Sequence, residues 1–252
     1  MFSVRLKASL AAVALAGVAF AIPTAVEAGV VVKSSGPSSS DYPVGQQIDD
    51  DASITLRAGD RITVLTDDGT RAMQGPGQFR VGEGATRTRA RFSNLTRSRA
   101  ARRVRTGAVR GAEGGEARNP NLWFVNIAAP GNVCLLDLEA IRLWRPDAEF
   151  AETYSIVDQS NDRSLDVAFV ETEAVRALDP EAIAITEGAE YSILAPAGEG
   201  ENGERPSVNV RFLTLDEDGD YSRPTRLAAA LYEKGCTTQL ALLADTLETA
   251  AR

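Results

Sequence analysis

The chain has 252 residues and no histidine. That absence removes Ser-His-Asp and Cys-His nucleophilic catalysis, histidine-ligated zinc or copper, and the usual general base near neutral pH. Lysine is almost missing as well. Only Lys7, Lys33 and Lys234 are present, which leaves a Ser-Lys nucleophile little to draw on. Cysteine is limited to Cys134 and Cys236, with no CxxC spacing, so a thiol metal site or redox centre is disfavoured. Aromatic residues make up 6% of the chain. After residue 28 no apolar run approaches the about 20 residues that cross a bilayer as a helix. Catalytic, cofactor-binding and metal-ligating residues are therefore not assigned, and no cofactor is expected.

The first residues set the compartment. Arg5 and Lys7 precede an uncharged apolar run of 12 residues, Leu10 to Ala21, and Val26-Glu27-Ala28 places small residues at −3 and −1 of a cleavage site. This is the layout of a secretory signal peptide over residues 1–28, too short for a membrane span. No cysteine lies near the cleavage site to carry a lipid. Arginine outnumbers lysine 24 to 3, the bias of a GC-rich bacterial genome, so the expected location is the periplasm or outside the cell. In that oxidising space the two cysteines read as a disulfide. Closing a loop of 102 residues would stabilise by about 4.7 kcal/mol at most on the chain-entropy account.

Charge is unevenly distributed. From Arg87 to Arg118 there are ten arginines and two acids, a net of +8, whereas Asn119 to Arg252 carries 10 basic and 24 acidic residues, a net of −14. Arg97, Arg99, Arg102, Arg103 and Arg105 are the candidate anion contacts. Phosphate contacts by several arginines would give salt-sensitive affinity. Nucleic acid is nevertheless disfavoured by the export signal, the overall charge of −8 and the lack of interleaved aromatics beyond Phe92. Two readings stay open: the strip folds back onto the acidic region of its own chain, which we favour, or it touches an envelope protein or anionic envelope polymer. Phe92, Leu95 and Val104 look too sparse for a core stripe, so the segment is expected to be a partial helix near 89–104 followed by a linker.

Elsewhere the period is two. Ile54 and Leu56 alternate with Ser53, Thr55 and Arg57, and Ile62 and Val64 alternate with Arg61 and Thr63, as in half-buried strands. Gly59-Asp60, Asp67-Asp68-Gly69 and Gly75-Pro76-Gly77 punctuate these runs as turns. The stretch Leu56–Phe79, with Gly59-Asp60 before a strand, Asp68-Gly69-Thr70 at a turn and the Gly75-Pro76-Gly77 corner, resembles the β-domain of FecR-type proteins, relatives of the ferric-citrate regulator. The resemblance covers about residues 29–83. Signalling members carry a cytoplasmic anti-sigma segment and a membrane helix; this chain shows neither, so the resemblance implies a free-standing exported relative.

Further strands are expected at Leu122–Ile127, with Trp123, Val125 and Ile127 on one core face, and at Val133–Leu136, Ala140–Trp144, Thr153–Val157, Ser164–Val170, Ala189–Leu194 and Ser207–Leu215. Ala195–Pro206 reads as an exposed loop. Leu227, Ala228, Leu231 and Tyr232 form a helical stripe stopped by Lys234-Gly235. Cys236, Leu240, Leu243 and Leu247 share one face of a second helix, so a Cys134–Cys236 bond would pin that helix to a sheet. Asp216–Asp220 resembles the start of a calcium loop, but Tyr221 and Leu227 replace the glycine and glutamate an EF-hand needs; a solvated turn is expected.

The fold class expected is mainly β: a small FecR-like β-domain (29–84), an Arg-rich, partly helical connector (85–120), and a second β-rich domain closed by two C-terminal helices (121–252). The function expected is non-catalytic binding or scaffolding in the bacterial envelope. The rival is a cell-wall or carbohydrate-active enzyme using paired carboxylates, which composition alone would permit.

Overall fold

A computed structural model describes residues 28–97, 117–196, 205–216 and 218–248. The expected signal peptide, apart from Ala28, lies outside the described residues, as do Arg99, Arg102, Arg103 and Arg105 and most of the loop 195–206. The protein is mainly β with helices near the C-terminus.

The N-terminal sheet is antiparallel, in the order β2 (Gln47–Asp49), β1 (Ala28–Ser35), β4 (Arg61–Leu65), β5 (Gly69–Gln74), β7 (Thr86–Arg87). A two-stranded sheet, β3 (Ser53–Leu56) with β6 (Gly77–Arg80), covers one face. Ile54 and Leu56 from the small sheet meet Val31, Ile62, Val64 and Met73 from the large one in a single apolar cluster. The alternation read from the sequence packs as expected in β3, whereas β4 is buried on its other face too, through Thr63 and Leu65. Gly69 has a definite steric cause: a Cβ there would stand 1.9 Å from the Thr86 carbonyl oxygen of β7, which pairs alongside with Arg87 opposite Gly69.

β1 is buried on both faces. Val31 points into that cluster, whereas Val30 and Val32 point the other way, with Leu65, into a second core. That second core is filled by α1 (Arg89–Leu95), α2 (Pro224–Glu233) and α3 (Thr237–Glu248). The last two helices thus pack on the N-terminal sheet as well as on the region that precedes them in sequence. Phe92 and Leu95, expected to be outside any core, are buried in it. The seven-residue α1 needs only these two apolar positions, three apart and so on one face, because its other sides are solvated.

The remaining strands form a sandwich. One sheet has the order β13 (Val175–Ala177), β10 (Arg142–Trp144), β8 (Phe124–Asn126), with β8 and β10 parallel. The other has the order β12 (Ser164–Phe169), β11 (Glu152–Asp158), β14 (Glu190–Leu194), β15 (Ser207–Thr214), β9 (Gly131–Leu135), with β15 and β9 parallel. Val125 and Leu143 from the first sheet meet Ile156, Phe169, Tyr191 and Phe212 from the second.

The disulfide forms as expected. Cys134 in β9 and Cys236 at the start of α3 are bonded, with Cα atoms 5.9 Å apart. Gly235 supplies the left-handed residue (φ 69°) that ends α2 and turns the chain into α3.

Candidate functional site

The described residues on either side of the arginine segment, Leu95–Arg97 and Asn119–Trp123, meet at one place. After α1, the Leu95 carbonyl accepts the Leu122 N–H at 3.0 Å. The Thr96 carbonyl accepts the Trp123 indole Nε1–H at 2.7 Å, and the Arg97 carbonyl accepts from Asn121 Nδ2 at 3.1 Å. Asn121 is buried, and its Oδ1 also takes the Trp123 N–H at 3.0 Å, so one amide side chain serves both sides of the neck. Asn119 continues the clasp, accepting the Asn121 N–H at 3.2 Å and donating to the Phe124 carbonyl at 2.8 Å. These bonds satisfy the last carbonyls of α1, which a helix end otherwise leaves open. The length of the segment between Arg97 and Arg118 therefore does not set the separation of the two β-regions, because its ends are tied together.

Trp123 corrects an expectation. It does not share the face of Val125 and Ile127, which lie in the sandwich core; it sits before β8 and packs, half-buried, against the helical core. Its indole N–H finds the Thr96 carbonyl, the partner that a Trp this far from water requires.

Beside the neck lies a cavity of about 460 Å³, within the range of small-molecule sites. Phe124 and Trp144, both buried, form apolar wall; Asn119 and Asn126 add amides, and Arg118 and Asp245 add charge of both signs. Trp144 is therefore a cavity residue on β10. Across the cavity, α3 contributes Gln239, whose side chain accepts the Cys134 N–H and donates to the carbonyls of Cys134 (both 2.7 Å) and Leu122 (2.9 Å). Gln239 thereby closes the outer edge of β9.

Asp245 and Glu248, on successive turns of α3, both reach Lys33 of β1, each at 2.5 Å. Burial pushes the Lys33 ammonium down, but hydrogen bonds to Asp245 and Glu248 outweigh it and hold its pKa above the ordinary lysine value. Among the described lining residues Asp245 is the acidic side chain, and it is committed to this ion pair; a glycosidase-type pair would need a second carboxyl facing the same cleft.

Of the candidate anion contacts, Arg97 stands exposed at the mouth of the neck, and the other four lie outside the described residues. Asp216, Asp218 and Asp220 are exposed, and Asp220 accepts from the Ser222 hydroxyl at 2.5 Å; that bond is the main cause of its lowered pKa. Among the described residues no cluster of three or more His, Cys, Asp or Glu side chains is arranged for a metal, and no helix is long and apolar enough to cross a membrane. The clasping roles of Asn121 and Gln239 were not foreseen. The only sequence signal was a polar side chain beside strongly apolar runs, which does not name its partner.

Compared with family models, with curated proteins and with solved structures, the chain matches none.

Proposed function

We propose that this chain is a non-catalytic exported binding or scaffold protein of the bacterial envelope, with a FecR-type N-terminal module and an arginine-bearing segment presented from a fixed neck. The observation that carries this reading is the neck itself. Hydrogen bonds joining residues 95–97 to 121–123 bring together the two flanks of a stretch that contains Arg99, Arg102, Arg103, Arg105 and Arg110. Concentrating cations at one place favours contact with an anion over solvation alone. The anion is either the acidic remainder of the chain or an anionic envelope polymer, and the disulfide fits an oxidising compartment.

Retention of purified protein on heparin and on anionic vesicles, measured against salt, tests the reading. Retention that falls with salt, and is lost when the four arginines from Arg99 to Arg105 become serine, assigns the anion to an envelope polymer; no retention assigns it to the acidic remainder of the chain. Turnover of cell-wall polymers, abolished by substituting one or two carboxylates, would overturn the reading in favour of an enzyme.

A further inference from the structure

The two edges of the five-stranded sandwich sheet are treated differently. At β9 the edge is stoppered by Gln239, as described. At the opposite edge, β12 pairs with β11 on one side, and among the described residues no strand pairs with the other. The Asp158 N–H donates to the Arg163 carbonyl at 2.8 Å, which fixes the alternation. Leu165, Val167 and Phe169 exchange bonds with β11, whereas Ser164, Asp166 and Ala168 aim their backbone N–H and C=O groups outward. All three are exposed.

Such an edge is a template for another strand. An edge that only needed protection would show charge and little else, and Asp166 supplies charge. The end of this edge is instead apolar. Phe150 and Val170 are 63% and 60% exposed, among the most exposed large hydrophobics of the chain. They lie together because Glu152 pairs with Phe169 and the Thr172 N–H bonds the Ala148 carbonyl at 2.8 Å. Beside them the exposed charges are Asp147, Glu149 and Glu171; Asp166 lies midway along the edge, and Asp162 and Arg163 stand at its far end, in the β11–β12 turn.

We propose that the outer edge of β12 receives an extended, basic segment of a partner protein by strand addition, with an apolar side chain of that segment seated on the Phe150–Val170 corner. Main-chain bonds to Ser164, Asp166 and Ala168 would supply affinity, and the acidic surround would select basic side chains. The proposal rests on the reading of this chain as a binding or scaffold protein.

The test uses the full exported chain and a labelled ten-residue peptide alternating arginine and valine, followed by fluorescence anisotropy. Amide exchange is read in parallel. Expected are saturable binding, slowed exchange at the amides of Ser164, Asp166 and Ala168, and affinity at least tenfold weaker for the same peptide N-methylated at alternate amides. The N-methylated arm needs no change to the protein, so it stands even if Ala168→Pro, the obvious edge-blocking variant, does not fold. Asp166→Lys, at an exposed position, should weaken the arginine peptide and favour a glutamate–valine one. Equal binding of the N-methylated peptide, protection elsewhere, or no binding would overturn the proposal. A failed peptide alongside salt-sensitive heparin retention sinks the edge alone; cell-wall turnover sinks the functional reading, and the peptide result still decides the edge.

Discussion

Among the described residues Arg145 is the largest side chain wholly removed from solvent, and each of its three guanidinium nitrogens donates a hydrogen bond. Its Nε donates to the Glu173 carbonyl at 2.8 Å, one terminal nitrogen to the Val170 carbonyl at 2.9 Å, and the other to Glu152 at 2.9 Å, while the plane lies 5.0 Å from the centre of the Phe169 ring. Tyr154 adds its hydroxyl to the same Glu152 oxygen at 2.8 Å. Glu152→Ala would leave a buried cation without its counter-charge, a loss of about 3–5 kcal/mol. Replacing both partners by methionine strands no charge but leaves the Glu173 and Val170 carbonyls and the Tyr154 hydroxyl without these partners, so it should recover only part of that loss. Urea unfolding of the single and double variants separates the two outcomes. Part of this was legible: Ile141, Leu143 and Arg145 fall at period two, which already aims the arginine inward. What could not be read was the reason a charge is tolerated there, since its acceptors are carbonyls of a distant turn. Asp60 is a similar case. Burial pushes its carboxyl pKa up, but the Ser38 hydroxyl and amide and the Arg57 amide, at 2.8 Å and 2.5 Å for the two N–H bonds, hold it below the ordinary aspartate value. A depressed folded value means stability that is present above the unfolded pKa and is lost as pH falls through the folded one. Asp60→Asn should therefore flatten the acid limb of the stability–pH curve while lowering its neutral plateau; thermal melts between pH 2 and 7 read both.

At the scale of elements, the turn that carries the FecR-type resemblance also serves as a cap. α2 begins at Pro224 after Arg223, which gives no side-chain cap of its own. The cap comes from 156 residues away in sequence. Asp67 accepts from the Thr225 hydroxyl at 2.5 Å and the Thr225 amide at 3.4 Å, and pairs with the Arg223 guanidinium. A carboxylate at a helix N-terminus meets the open N–H groups and the positive end of the dipole. Asp67→Ala should cost about 1 kcal/mol from the cap, measurable as a shift of the urea midpoint with unchanged slope. Asp67→Ser, which can still accept from an amide, should recover part of it. The turn itself was plain in the sequence, as were both helices and the inward face of Cys236, Leu240, Leu243 and Leu247. The short strands β2, β7 and β13 were not, since two or three residues show no period and exist because a neighbour pairs with them. Nor could α1 be judged core-bound. Two apolar residues suffice only when a prepared surface waits, and that surface is assembled from Val30, Leu122 and the C-terminal helices.

For the molecule as a whole, the decisive element is α3. One face lies in a core shared with Val30, Val32 and Leu65 of the N-terminal sheet, its Lys33 ion pairs tie it to β1, and its Gln239 and Cys236 bind it to β9 of the sandwich. Neither β-region can lose this helix without exposing apolar surface in both. Charge and composition suggested two β-domains on either side of an arginine-rich connector; packing through a common helical core couples them. The expected behaviour is one cooperative unfolding transition, coincident by far-UV circular dichroism and by tryptophan emission from Trp123 and Trp144. Two separated transitions would show the β-regions to be independent. The disulfide acts on this same coupling. Cys134→Ser with Cys236→Ser opens a loop of 102 residues, for which chain entropy predicts a loss of up to about 4.7 kcal/mol. Because the bond fixes α3 at its first turn, the loss should fall on both β-regions together, moving the single midpoint rather than splitting it. A double variant that melts in two steps would mean that the covalent link, and not the apolar packing of α3, makes the chain one cooperative unit.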